Sequence, residues 1–169
     1  MNQGLTAPEI AEELRMPPAL DAAWHARGYY GSVNHDVKAV YQFYLGWYDG
    51  NPAHLWQHPP EPLAQRYVEC LGGVEATVAR AREYAERGDL RFAAELAHHA
   101  VFASPGHEDA REVLAEVHTR LGHGSENATW RNSYLTAAQE LRHGAAPMAV
   151  SSAGMVAALT VTQLFDSLA

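Results

Sequence analysis

The sequence predicts an all-α protein: a helical bundle or array with a tetratricopeptide-like helical pair in its second half. Three observations predict it. Alanine fills 30 of the 169 positions, β-branched residues are sparse, and apolar positions recur three and four apart, the spacing that lines one face of a helix. Thr6-Ala7-Pro8-Glu9 has the form of a capping box, with Thr6 accepting from the backbone and Glu9 reaching back, and Ile10 and Leu14 follow one turn apart. Pro17 and Pro18 end that helix. A second helix is expected over 18–27, carrying Leu20, Ala23 and Trp24 inward and closed by a left-handed Gly28. Asn34 is the expected cap of a third, with Val37, Val40, Tyr41 and Tyr44 on its apolar face.

From 46 to 62 the pattern breaks at Gly46, Gly50, Asn51-Pro52 and Pro59-Pro60. The aromatics Trp47, Tyr48 and Trp56 predict an ordered loop, because such large side chains are costly to leave in water. A helix resumes near Glu61 and runs to about Leu71, ending at Gly72-Gly73. Val74, Val78, Ala81 and Tyr84/Ala85 then form one stripe, Gly88-Asp89 interrupts it, and Leu90, Ala93/Ala94, Ala97 and Ala100/Val101 form another that Pro105-Gly106 stops. This hairpin has the tetratricopeptide-like spacing, and Gly122 follows Gly88 by 34 residues, one period of such a repeat. Val113, Leu114, Val117 and Leu121 mark the next helix. The last of this set, roughly 127–142, carries Trp130, Tyr134/Leu135, Ala138 and Leu141, with Gly124 and Asn127 departing from the repeat pattern. Residues 145–158 are uncharged and small, as in a linker. Thr160 and Gln163 box the start of a further helix with Leu164, Phe165 and Leu168 apolar.

Charge and composition exclude several functions. Twelve basic against twenty acidic side chains give a net charge of −8, so nucleic acid, which needs a concentrated positive face, is not a predicted partner. No apolar run approaches the 18 or so residues of a membrane span, and no positive region followed by an apolar stretch opens the chain, so the sequence as written predicts a cytoplasmic protein. Cys70 is the single cysteine and is expected to be a buried, inert thiol. Ten histidines raise the question of a metal. His54 and His58 lie in the proline-rich stretch, where a spacing of four does not align two imidazoles, and His98 and His99 point about 100° apart on one helix. Neither an intrinsic metal nor a catalytic group is predicted in this chain. Gly72-Gly73 and Gly28-Tyr29-Tyr30-Gly31 lack the strand and spacing of a nucleotide loop.

The segment 27–51 stands apart. It holds Tyr29, Tyr30, Tyr41, Phe43, Tyr44, Trp47 and Tyr48, interleaved with Arg27, His35, Asp36, Lys38 and Asp49. It is expected to be a packed aromatic core, a protein interface, or both, since Tyr, Trp and Arg dominate buried contact energy between proteins. Its residues Arg27-Gly28-Tyr29-Tyr30-Gly31-Ser32-Val33-Asn34-His35-Asp36-Val37-Lys38-Ala39-Val40-Tyr41-Gln42 and Tyr44-Leu45-Gly46-Trp47-Tyr48-Asp49-Gly50-Asn51-Pro52, with Arg66-Tyr67-Val68-Glu69 and Trp130-Arg131-Asn132 through Arg142, resemble the dimerisation domain of the metallo-β-lactamase-type alkylsulfatases.

That resemblance covers 1–144 as a domain, leaves 145–158 as linker, and makes 159–169 similar to the start of a truncated sterol-carrier-like domain. It implies a non-catalytic homodimerisation module of an alkyl sulfate ester hydrolase, with Tyr41, Tyr44, Trp47 and Tyr48 at the dimer interface. The zinc of the family belongs to a metallo-β-lactamase-type catalytic domain, the second implied partner, so no cofactor is expected in this chain. The resemblance further implies that Tyr29, Tyr30 and His35 face the sulfate ester in the full-length parent, where a phenol or imidazole donor suits an anionic group. Asp36 stands where the family pattern has asparagine and adds a negative charge beside them. The alternative reading of the residues is a free-standing helical-repeat scaffold that binds a peptide or protein partner.

Overall fold

The computed structural model describes residues 2–145 and 159–166. Its helices are α1 (Ala7–Glu13), α2 (Pro18–Asp21), α3 (Val33–Leu45), α4 (Pro60–Cys70), α5 (Val74–Glu86), α6 (Leu90–Ala103), α7 (Glu108–Gly124), α8 (Ala128–His143) and α9 (Val161–Asp166), with short 3-10 turns at Trp24–Ala26 and Pro52–His54. Among the described residues there is no strand. The protein is all-α, as its periodicity predicts.

Helices α4 to α8 form the array. Helix α6 packs against α4, α5 and α7, and α7 packs against α8. The core they enclose is built from small side chains: Val78, Ala81 and Ala85 of α5, Ala93, Ala97 and Ala100 of α6, and Ala110, Val113 and Val117 of α7 are all buried. Alanine at the contacts lets helix axes approach closely, which is how a chain rich in alanine and poor in bulky aliphatics still reaches close packing. The punctuation is physical. Gly88 closes α5 at φ +85°, and the Asp89 carboxylate accepts from the backbone N–H of Phe92 to start α6. His107 does the same for α7, its Nδ1 accepting from Ala110. Gly122 is buried where α7 meets α8, and a Cβ there would lie 2.8 Å from a methyl of Leu135, so glycine is what lets the two helices approach.

Helices α1 and α3 pack on each other as a separate arm. Glu9 reaches back as expected, but its carboxylate takes both the backbone N–H and the hydroxyl proton of Thr6, and these bonds hold the Glu9 carboxyl below its usual range. The cap of α3 is Ser32, whose hydroxyl accepts from His35 N–H, and not Asn34. Asn34 instead donates to the Ala11 carbonyl across the arm.

Four other expectations are corrected. The helix over 18–27 is one turn and a 3-10 turn, broken at Ala23 with ψ 112°, and Leu20 and Trp24 are exposed because no described helix packs over them. Gly28 is not left-handed. Glycine is needed there for close approach, since a Cβ would meet the Gly31 carbonyl at 3.0 Å. In the loop after α3, Trp47 and Trp56 are exposed rather than buried. Cys70, at the end of α4, is exposed and not buried. The linker expected at 145–158 lies outside the described residues apart from residue 145, whereas the Thr160–Gln163 box is formed at the start of α9.

Two outcomes test this packing. Gly122→Ala must push Leu135 aside and lowers stability by about 1–3 kcal/mol, while Gly124→Ala, with open space around its Cβ, changes it by less than about 1 kcal/mol, and in the stabilising direction. Urea unfolding reads both. Burial, then the neighbouring charge of His98, holds His118 and His99 below the ordinary value of 6.5. The unfolded chain therefore binds protons more readily, so their contribution is complete above pH 6.5 and is lost as pH falls through that value towards the folded pKa. The urea midpoint is lower at about pH 5.5 than at about pH 7.5, and His118→Asn reduces the difference.

Candidate interface and tyrosine turn

The arm and the array meet at the start of α8. Asn127 caps that helix, its side-chain oxygen accepting from Trp130 N–H at 2.9 Å. Its amide nitrogen donates in the other direction, to the Tyr30 carbonyl. Thr129 Oγ1 donates to the same carbonyl at 2.6 Å, and Ala128 N–H donates to the Tyr29 carbonyl at 2.6 Å. One of the free N–H groups at the start of the helix, that of Ala128, thus finds its partner in a turn distant in sequence. Asn127 itself is 5% exposed, so its two hydrogen bonds are made by a buried side chain, while Thr129 and Tyr30 lie at the surface.

Side chains close the junction. Arg27 pairs with Glu126 at 2.7 Å, and that contact raises the guanidinium pKa. Trp130 Nε1 donates to His35 Nδ1 at 3.1 Å, the two rings meeting edge to face. Lys38 Nζ stands 5.7 Å from the centre of the same indole, a cation–π contact. Arg91 of α6 pairs with Glu12 of α1. The link between arm and array is therefore polar and directional.

The structure places the predicted residues in two groups. Tyr29, Tyr30 and His35 are brought together by the junction: their backbone or ring is held by α8, while all three residues remain exposed. Asp36 folds over Gly31, with Oδ2 3.4 Å from where a Cβ would be. A pocket of about 450 Å³ between Met16, Asp21, Arg27, Gly31, Asp36 and Glu126 adjoins this turn.

The second group lies on α3 and beyond. Tyr41 is 9% exposed and belongs to the α1–α3 packing. Tyr44 and Trp47 are exposed, and Tyr48 is half-buried. Phe43 stacks edge to face on Tyr44 with centroids 5.0 Å apart and is 82% exposed. A further apolar groove of about 590 Å³ runs between α1 and α3, lined by Ile10, Leu14, Met16, Val37 and Val40 among others.

The sequence names several residues of this geometry without singling them out as site residues. Phe43 and Val40 extend the exposed stripe, and Trp56 at 96% exposed and Leu55 add apolar surface in the following loop. Helical spacing from Val40 to Phe43, Tyr44 and Trp47 was the available signal. Asn127 and Trp130 carried no signal for their junction role, because their partners lie 97 and 95 residues away.

Among the described residues no group of three or more His, Cys, Asp or Glu side chains is placed to hold a metal. His54 Nδ1 contacts Asp49 Oδ2 at 2.6 Å, and the Asn51 backbone N–H, then His54, hold that carboxyl below its usual range. The donor sets needed for zinc are not assembled by these residues, and no chemical step through zinc is assigned to them. No described helix is long and apolar enough to cross a membrane.

Comparison with known proteins agrees with this architecture. The pattern of the alkyl sulfatase dimerisation family matches residues 6–144. A linear primary-alkylsulfatase of Pseudomonas sp. is 45% identical over 171 aligned residues, covering 99% of this chain and 25% of that protein. The alkyl/aryl-sulfatase of Saccharomyces cerevisiae is 45% identical, covering 100% of the chain and 26% of that protein. The solved structure of the stereoselective inverting sec-alkylsulfatase Pisa1 from Pseudomonas sp. superposes with a TM-score of 0.88 at 47% identity, over 98% of this chain and 26% of that one. The chain thus spans about a quarter of the length of these relatives. A family pattern running from the cap of α1 to the last residue after α8, together with the shared fold, establishes that the chain belongs to the alkyl sulfatase dimerisation family.

Proposed function

We propose that this chain is the non-catalytic homodimerisation module of a larger alkyl sulfate ester hydrolase. One observation carries the reading: α3 and the loop after it hold Val40, Phe43, Tyr44, Trp47 and Trp56 in water, on an arm whose own core is already closed by Tyr41. Burying one such side chain is worth about 1.5–3 kcal/mol, so a stripe of this composition is strongly favoured to meet a partner surface. A second copy brings the same stripe, and a two-fold contact pairs the two faces. Its relatives are about four times as long, and on this reading the chemistry belongs to segments outside this chain, a zinc-binding catalytic domain of metallo-β-lactamase type, with a sterol-carrier-like domain beginning near α9. In that assembly the Tyr29–Tyr30 turn and His35 are the residues of this chain that face the sulfate ester, supplying hydrogen-bond donors to an anionic group.

Sedimentation equilibrium and light scattering test the first part. The chain is expected at twice its 18.5 kDa mass at micromolar concentration, with an interface above about 1,000 Å² in total. Phe43→Glu with Trp47→Glu yields a monomer whose far-ultraviolet circular dichroism is unchanged. A wild-type monomer at that concentration overturns the reading.

A further inference from the structure

We propose that Trp130 is a positioning residue that fixes the tautomer of His35, so that the imidazole presents an Nε2–H donor outward from the tyrosine turn. The chemistry of the pair dictates the sense. An indole nitrogen donates and never accepts. Its 3.1 Å contact with His35 Nδ1 therefore requires a lone pair on Nδ1, which in the neutral ring places the proton on Nε2. Free in water, a histidine exchanges between both tautomers and rotates about two side-chain bonds; here one nitrogen is tied and the other is left.

The indole is itself held. Its backbone N–H is bonded to Asn127 Oδ1, and Lys38 stands over its ring. Asn127 in turn grips the Tyr30 carbonyl. Three residues are thus referred to one element, the first turn of α8: Tyr29 and Tyr30 of the turn through their backbone carbonyls, and His35 of α3 through its ring. Such outer partners, which orient a donor without touching the substrate, commonly change function by about 10- to 100-fold when removed. Trp130 and Asn127 hold that place for this turn. The proposal rests on the reading that the turn faces the sulfate ester in the whole enzyme.

Nitrogen-15 spectra of the imidazoles in the 169-residue chain, held above the histidine titration range, test the tautomer without any activity measurement. His35, assigned with His35→Gln, is expected as the Nε2–H form, and Trp130→Phe allows the Nδ1–H form to appear. In the unaltered chain the Trp130 indole N–H resonance moves with the protonation of His35, a readout that needs no variant to fold. A His35 that carries its proton on Nδ1, a tautomer that is the same with and without Trp130, or an indole N–H resonance in the unaltered chain that does not respond to His35 protonation overturns the proposal. In the whole enzyme, Trp130→Phe lowers kcat for an alkyl sulfate by about tenfold with little change in KM, and His35→Gln lowers it at least as much. Tautomer loss accompanied by unchanged kcat in both variants leaves the positioning contact intact and overturns the substrate-facing reading beneath it.

Discussion

Asn127 belongs by sequence to α8 and by contact to a turn 97 residues earlier. Its two ends do different work at one place. The oxygen satisfies a helix N-terminus, and the amide nitrogen clamps the carbonyl of Tyr30, so the same 5% exposed side chain that starts α8 also fixes the direction in which the arm leaves the array. An alanine there would leave an unpartnered donor on Trp130 and remove one of the two side-chain donors to Tyr30; no neighbouring group is placed to replace both functions, because Thr129 reaches the carbonyl but its own oxygen does not cap the helix.

Around that point the chain uses its apolar residues in two opposite ways. The array buries alanines and valines, with Ala81, Ala93, Ala97, Ala100 and Ala110 fully enclosed, and leaves few large side chains to spare. The arm keeps one large residue, Tyr41, for its own closure and displays the rest. A core of small residues gains little transfer energy per side chain but permits close helix approach and dense packing, so the array can be a stiff support. Large aromatics at the arm's surface contribute contact area at low cost in side-chain freedom, the property that makes them anchors in protein interfaces. Support and contact surface are separated along the sequence as well as in space.

That separation explains what the sequence discloses. Helices α4 to α8 are legible because each buries a stripe against neighbours close in the chain: the 3.6-residue period, Gly88, Gly72-Gly73 and Pro105 all act locally. The arm obeys longer-range constraints. A helix over 18–27 has suitable propensity, yet no surface lies over Leu20 or Trp24, and helical turns without packing are marginal. Ser32 displaces Asn34 as the cap because Asn34 is recruited across the arm to Ala11, a contact invisible to local patterning. The same holds for Trp47 and Trp56. Aromatic content alone predicts burial, but burial requires a covering surface, and the described residues supply none. The family resemblance was carried by these very residues of 27–51, so the segment whose local structure is least legible is the one that most clearly marks kinship.

The division between polar junction and apolar stripe also has a consequence for assembly. Ion pairs such as Arg27–Glu126 and Arg91–Glu12 are largely exposed, and exposed pairs contribute little because water screens them and their long side chains lose freedom. They do not hold the arm rigidly. The hydrogen bonds from Ala128 N–H to the Tyr29 carbonyl and from Asn127 and Thr129 to the Tyr30 carbonyl set its direction, because a hydrogen bond is strongly angle-dependent. Direction at the junction is therefore set by groups that give geometry but modest energy, while the stripe carries energy but little geometry. An interface of the proposed kind needs both: the junction limits the orientations in which two stripes can meet, and the aromatics favour the one orientation that covers them. Loosening the junction would leave the stripe equally apolar and less selective, free to contact other apolar surfaces, and so the buried asparagine, far from the exposed aromatics in sequence, bears on the specificity of pairing as well as on its strength.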